Sequence, residues 1–168
     1  MKKLLISLSA IGLFTSGTFY TAPDPIPCSV SQRMHDAIVL YADSFGIPLN
    51  IAFNIAYLET TYRGPNDHKY NHKKTSSCGA VGPMQIMPRW ASHYAGFKVT
   101  KQQLRDSIEL NVMISMKMMA SNFKKTKSWK KAAGKYHTGK PCIDWYAKKV
   151  VLKDYKTNWL KPDSIVNL

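Results

Sequence analysis

The sequence predicts a mainly α domain with one short loop or hairpin set into it, and three observations carry that expectation. Apolar residues recur at three- and four-residue steps through most of the chain, which is the helical period. Residues 79–88 break the pattern, because they hold too many glycines and prolines to be helical. At 168 residues, with no internal repeat or low-complexity tract, the chain has the length for one core and no room for a second.

Each element has a local reason. Ser31 is placed to cap a helix over residues 31–45, with Met34, Ile38, Tyr41 and Phe45 on one face and Gly46 just past its end. Pro48 is a good first residue for the next helix. After the 79–88 segment, residues 90–94 predict a short helical turn. Asp106 or Ser107 can cap a long helix through about Phe123, in which Ile108, Val112, Ile114, Met116 and Met119 read as core. Its methionines are expected to fill gaps in that core rather than line a groove. Residues 129–136 and 143–155 supply two more helices, separated by Gly139 and Pro141.

The first residues read as an export signal. Lys2 and Lys3 precede an apolar run from Leu4 to about Phe14, followed by small and hydroxyl residues and then Pro23, Pro25 and Pro27. That run is shorter than the roughly 20 apolar residues that span a bilayer. The expected organisation is a signal over 1–22, a linker over 23–30 and the folded domain over 31–168, with an uncleaved anchor as the alternative for the first segment. Nothing before Cys28 resembles a lipid-attachment pattern.

Only two glutamates occur in the chain. One of them, Glu59, continues the apolar stripe Ile51, Ala52, Ile55 and Ala56. A carboxyl on a buried face is desolvated, which disfavours its charged form and keeps it protonated towards neutral pH, where it can act as a general acid. Glycosidic bond cleavage asks for that chemistry. A Glu at the rim of the stripe, half exposed or paired with Arg63 four residues on, is the alternative reading.

Downstream, Ser76, Gly79, Ala80, Gly82, Met84, Gln85, Met87 and Pro88, then Asn111, then Tyr136 and Gly139, and finally Tyr146 and Val150 follow in a recognisable order and spacing. Over about residues 33–152 the chain resembles the soluble lytic transglycosylase family. The resemblance implies an α+β, lysozyme-like fold whose short loop or hairpin lines a glycan cleft, and an enzyme that cleaves peptidoglycan. It implies Glu59 as the catalytic acid, Ser76, Met84 and Gln85 along the sugar subsites, Tyr136 holding Glu59 through its hydroxyl, and Tyr146 closing the cleft wall. Three departures stand out. Pro83 replaces the family's usual Leu and removes an amide donor. His137, assigned to substrate contact, replaces the Asn after the Tyr and can titrate. Residues 60–75 form a longer link than usual, carrying Arg63, His68, Lys69, His72, Lys73 and Lys74, and read as an inserted basic loop over or beside the cleft.

In the implied reaction, Glu59 protonates the oxygen between N-acetylmuramic acid and N-acetylglucosamine, and the muramyl C6 hydroxyl then closes a 1,6-anhydro ring. A hydrolase would normally need a second carboxylate about 5 to 9.5 Å away. Asp67 and Asp106 are the nearby acids in sequence, and neither falls in a matching motif. A lysozyme-type muramidase and a non-catalytic glycan-binding or assembly protein are the alternatives. Neither a cofactor nor a metal is expected, since Pro65 and Asn66 argue against a helix that would pair His68 with His72.

The formal net charge of +14 implies a polyanionic neighbour. Peptidoglycan and other wall polymers fit, and peripheral contact with an anionic membrane is a further expectation. The basic residues are scattered and match no nucleic-acid fold motif, which argues against DNA or RNA. A monomer in the periplasm or cell envelope is expected, with extracellular or virion-associated sites as alternatives and a secretion, conjugation or phage machine as the partner it would serve. Export makes cysteine pairing relevant, and three cysteines leave one over. If the family fold holds, Cys78 and Cys142 adjoin motifs on one cleft, so the resemblance implies a Cys78–Cys142 bridge, with three unpaired thiols as the alternative.

Overall fold

The structure, a computed structural model, describes residues 28–152. The expected signal over 1–22, most of the linker, and the continuation of the last predicted helix past Leu152 lie outside them. Among the described residues there are seven helices: α1 (Val30–Ser44), α2 (Leu49–Thr60), α3 (Pro88–Ala95), α4 (Lys101–Asp106), α5 (Ile108–Thr126), α6 (Trp129–Thr138) and α7 (Trp145–Leu152). None of them is long and apolar enough to cross a membrane.

Five helices close a ring. Helix α1 packs on α2, α2 on α7, α7 on α6, α6 on α5, and α5 back on α1, while α3 and α4 lie against α5. The ring encloses Met34, Ile38, Ile51, Ile55, Ile114, Met116, Ala133 and Val150, all without solvent exposure. Burying each large aliphatic side chain contributes roughly 1.5–3 kcal/mol relative to leaving it in water. The predicted stripe on α2 is buried as expected, but Phe53 and Asn54 are buried as well, so this helix is enclosed nearly all round. Asn54 Nδ2 donates to Val150 O at 2.8 Å and ties α2 to α7.

Helix boundaries follow the predicted signals with instructive shifts. Ser29, not Ser31, caps α1 by accepting from Gln32 N at 3.1 Å. Ser31 lies inside the first turn, where its hydroxyl donates to Pro65 O at 2.8 Å. Of the two possible caps for α5, Ser107 takes the role by accepting from Leu110 N. Asp106 instead ends α4, a helix the periodicity did not suggest. Its signature was nevertheless present: Thr100 and Gln103 form a capping box, each side chain bonding the other's backbone N–H. Helix α3 is a full two turns rather than one.

The 61–87 connection has no regular element, only two isolated antiparallel bridges, Thr75 to Val81 and Val81 to Ile86. The predicted hairpin is reduced to these. The basic stretch over 60–75 is anchored at several points. Tyr62 is buried and donates to Ser31 O at 2.8 Å, its ring meets Tyr70 edge to face, and the Tyr70 hydroxyl lies 3.0 Å from Thr60 Oγ1.

One buried side chain fixes the second half of this connection. Asn111 on α5 donates to Val81 O at 2.9 Å and to Leu104 O at 3.0 Å, and accepts from Met84 N at 2.9 Å. Gly82, at φ +80°, is what allows the approach, because a Cβ there would collide with the Asn111 amide. Asn111→Leu, close in volume but without polar atoms, strands three buried backbone groups. We expect it to cost about 3 kcal/mol or more, seen as a lowered urea midpoint at unchanged m-value.

Candidate active site

The two glutamates have opposite surroundings. Glu109, in the first turn of α5, forms a two-pronged ion pair with Arg33 at 2.9 Å per hydrogen bond and is 44% exposed. Glu59, in the last turn of α2, is largely buried and accepts from the Tyr146 hydroxyl at 2.6 Å. Burial pushes its carboxyl up from 4.5 to about 7, against the Tyr146 hydrogen bond and the nearby charges of His137 and Lys74, which favour the ionised form. Desolvation wins. Among the described residues no second carboxylate acts on it; Asp106 is instead engaged by Arg105 at 3.0 Å and Lys73 at 3.8 Å.

Arg63 does not pair with Glu59. Thr61 adopts the left-handed conformation at φ 58° and stops the helix, so Arg63 never occupies the fourth position along it. The basic loop reaches the site through Lys74, whose ammonium donates to Glu59 O at 3.1 Å.

Tyr136 and Tyr146 hold places different from those expected. The Tyr136 hydroxyl donates to Met84 O at 2.7 Å and lies 2.9 Å from Ser115 Oγ, so it secures the 81–86 segment rather than clasping Glu59. Tyr146 takes the carboxylate-holding position. Its own placement depends on three contacts at the α6–α7 junction. Gly134 has no side chain, and the carbonyl of Cys142 lies where its Cβ would be, so the connection folds tightly over α6. Asp144 accepts from Ala147 N at 2.8 Å at the start of α7 and from the His137 ring at 2.7 Å. The His137 ring in turn stacks on Tyr146, with centroids 4.6 Å apart and planes 10° from parallel. His137 is therefore brought to the site, and its partner there is a tyrosine ring. Periodicity carried no signal for Asp144, although its place one residue before Trp145 is that of a helix cap.

The remaining predicted residues divide. Gln85 adopts φ +50°, a left-handed conformation uncommon outside glycine, and its amide donates to Gly82 O at 2.8 Å and Lys74 O at 3.2 Å. Its Oε1 is left as the remaining polar group, and the residue lines a cavity of about 410 Å³ together with Met87, Tyr136 and His137. Ser76 closes its own turn, its hydroxyl accepting from Ala80 N at 3.0 Å. Met84 is a correction: its side chain has no solvent exposure and belongs to the core, so only its backbone meets the site. The expected Cys78–Cys142 bridge is not formed either, since Cys28, Cys78 and Cys142 are all free thiols. Cys142 is held by the α6 end, with Sγ 3.4 Å from Thr138 Oγ1, and Cys78 lies exposed in the turn after Ser76. Pro83 costs no needed donor; its carbonyl accepts from Thr60 Oγ1 at 2.9 Å and ties the segment to the end of α2.

Comparison with known proteins bears on this arrangement. The family model described as the transglycosylase SLT domain matches residues 40–158. Curated proteins return no match to the chain. Among solved structures, the 70 kDa soluble lytic transglycosylase of Escherichia coli superposes with a TM-score of 0.52 at 26% identity, covering 62% of this chain and 16% of that one. An inactive mutant of the lytic transglycosylase Slt from Pseudomonas aeruginosa gives 0.52 at 20% identity, with the same coverages of 62% and 16%. The 70-kDa soluble lytic transglycosylase in complex with bulgecin A gives 0.54 at 24%, covering 69% and 18%. At 20% and 24% identity the last two speak to the fold alone. The chain thus matches less than a fifth of the length of these larger proteins.

The raised Glu59 carboxyl has consequences for stability. Between pH 4.5 and about 7 the group is protonated in the native state and ionised in the unfolded chain, so its contribution to stability falls as pH rises through that window. We expect Glu59→Gln to be more stable than the native sequence by about 2–3 kcal/mol at pH 8, with the difference vanishing near pH 4; thermal melts across pH check this. Tyr146→Phe removes a hydrogen bond that favours the carboxylate, so carbon NMR should find the Glu59 titration moved further above 7.

Proposed function

The chain belongs to the transglycosylase SLT domain family, and on that premise we propose that it is a peptidoglycan lytic transglycosylase with Glu59 as its acid and base. The observation that carries the reading is a desolvated carboxyl at about 7, held by Tyr146 and, among the described residues, with no second carboxylate acting on it. A residue at that value is substantially protonated near neutrality yet can still ionise once its proton has gone, which is what one group serving twice requires.

The reaction divides into two proton transfers. Glu59 donates to the oxygen bridging the muramyl C1 and the next sugar, and the C1–O bond breaks to leave an oxocarbenium-like centre. Glu59, now ionised, accepts the proton of the muramyl C6 hydroxyl as that oxygen bonds C1. The product is a 1,6-anhydromuramyl end, Glu59 is protonated again, and no water is consumed. The Tyr146 hydroxyl steadies the carboxylate formed in the first step, and Lys74 and His137 favour the same charge. Gln85 borders the sugar path, with its Oε1 able to accept from an N-acetyl or hydroxyl group. Signal-directed export to the envelope, which the basic leader residues and the positive charge support, and service to a secretion, conjugation or phage machine complete the reading.

Mass spectrometry of fragments released from purified peptidoglycan tests the reaction. We expect anhydromuramyl ends from the native protein and a loss of at least about 100-fold in rate for Glu59→Gln. Reducing ends would make it a muramidase, and an unimpaired variant would remove Glu59 from the chemistry. Because the first step needs the protonated carboxyl, the rate should fall about tenfold per pH unit above about 7.

A further inference from the structure

We propose that the basic end of the cavity beside the site is an anion subsite that takes the free carboxylates of the peptide carried by the muramyl sugar. This rests on the reading of the chain as a peptidoglycan lytic transglycosylase, and adds to it a choice among strands. The cavity of about 410 Å³ runs from Gln85, Tyr136 and His137, beside the site, to Arg89, Lys125 and Lys135. These three cations come from α3, α5 and α6, far apart in sequence, and none of the described residues lining the cavity is acidic. None of the three takes part in an ion pair among the described residues.

Helix electrostatics account for only part of this. Lys125 and Lys135 lie in the last turns of α5 and α6, where the helix dipole favours cations. Arg89 lies in the first turn of α3, where the dipole disfavours one. It is held there over the face of Trp90, 5.6 Å from the ring centroid, and Trp90 is itself 48% exposed. Three like charges converging on one cavity repel each other, and an anion between them turns that repulsion into attraction.

The substrate's chemistry supplies the anion. Peptides hang from the lactyl group of the muramyl unit, and wherever they are not cross-linked they end in carboxylates. The planar guanidinium of Arg89 can grip a carboxylate with two parallel hydrogen bonds, and the two ammonium groups add point charge. Trp90 and Tyr94 offer flat faces to the apolar parts of sugar and peptide. The cavity therefore selects strands whose peptides are free and acidic.

Binding by the non-cleaving Glu59→Gln variant tests this without relying on turnover. Labelled strands would carry free-acid peptides, the same peptides with their carboxylates converted to amides, or no peptide, leaving the lactyl carboxylate exposed. We expect free-acid strands to bind about tenfold more tightly than either of the others at low salt, the gap narrowing as salt is added. The gap should close when Arg89→Gln, Lys125→Gln and Lys135→Gln are combined, and persist when the lysines are changed to Arg. Equal binding of acid and amide strands overturns the proposal, as does a gap that survives the triple substitution in protein whose melt is unchanged. Peptide-free strands binding as tightly as acid ones would overturn the peptide assignment. A gap without anhydro products from the native protein would sink the lyase reading and leave the anion subsite standing.

Discussion

The site depends on Asn111. Its amide is fully buried inside α5 and holds the backbone of Val81 and Met84 from one side and the end of α4 from the other. With that segment fixed, Pro83 O can meet Thr60 at the end of α2, Met84 O can meet Tyr136 on α6, and Gln85 is forced into its left-handed conformation beside the cavity. A connection of some 27 residues without regular structure would otherwise carry a large closure entropy and many unpaired backbone groups. Buried amides that satisfy three backbone groups at once are the economical way to order such a segment, and glycine at position 82 is the steric condition for it.

Glu59 shows how a fold sets a carboxyl between two ionisation states. Burial alone would drive it far from its ordinary range, and a full positive charge in direct contact would hold it ionised. Tyr146 does neither. A neutral hydroxyl offers one hydrogen bond to the carboxylate without a full charge, so desolvation still dominates but is moderated. The supports of that hydroxyl run outward from Tyr146 to the His137 ring and from there to Asp144, which also starts α7. Where the related motif has an amide after its tyrosine, this chain has an imidazole, and the stack it forms gives that exchange a structural consequence.

Charge distribution links the site to its surroundings. The excess of basic residues is spread over the chain, yet two groups of it converge: Lys74 from the basic loop beside Glu59, and Arg89, Lys125 and Lys135 around the cavity. Scattered surface lysines raise the local concentration of any polyanion without choosing among them. Cations gathered on a concave wall can choose.

Much of this was legible in the sequence, because it is local. The helical period, the proline and glycine stops, the Ser107 cap and the burial of the stripe leading to Glu59 all follow from neighbours three or four residues apart. Even the missed helix α4 had its capping box written in Thr100 and Gln103. What the sequence could not decide was which side chains meet across long separations. That Tyr146 rather than Tyr136 holds Glu59, that Met84 turns into the core, that Cys78 and Cys142 stay apart, and that cations from three helices share one cavity depend on how the ring of helices closes. Ring closure is set by packing among residues up to a hundred positions apart, as in the Asn54–Val150 bond, and no local rule carries that information.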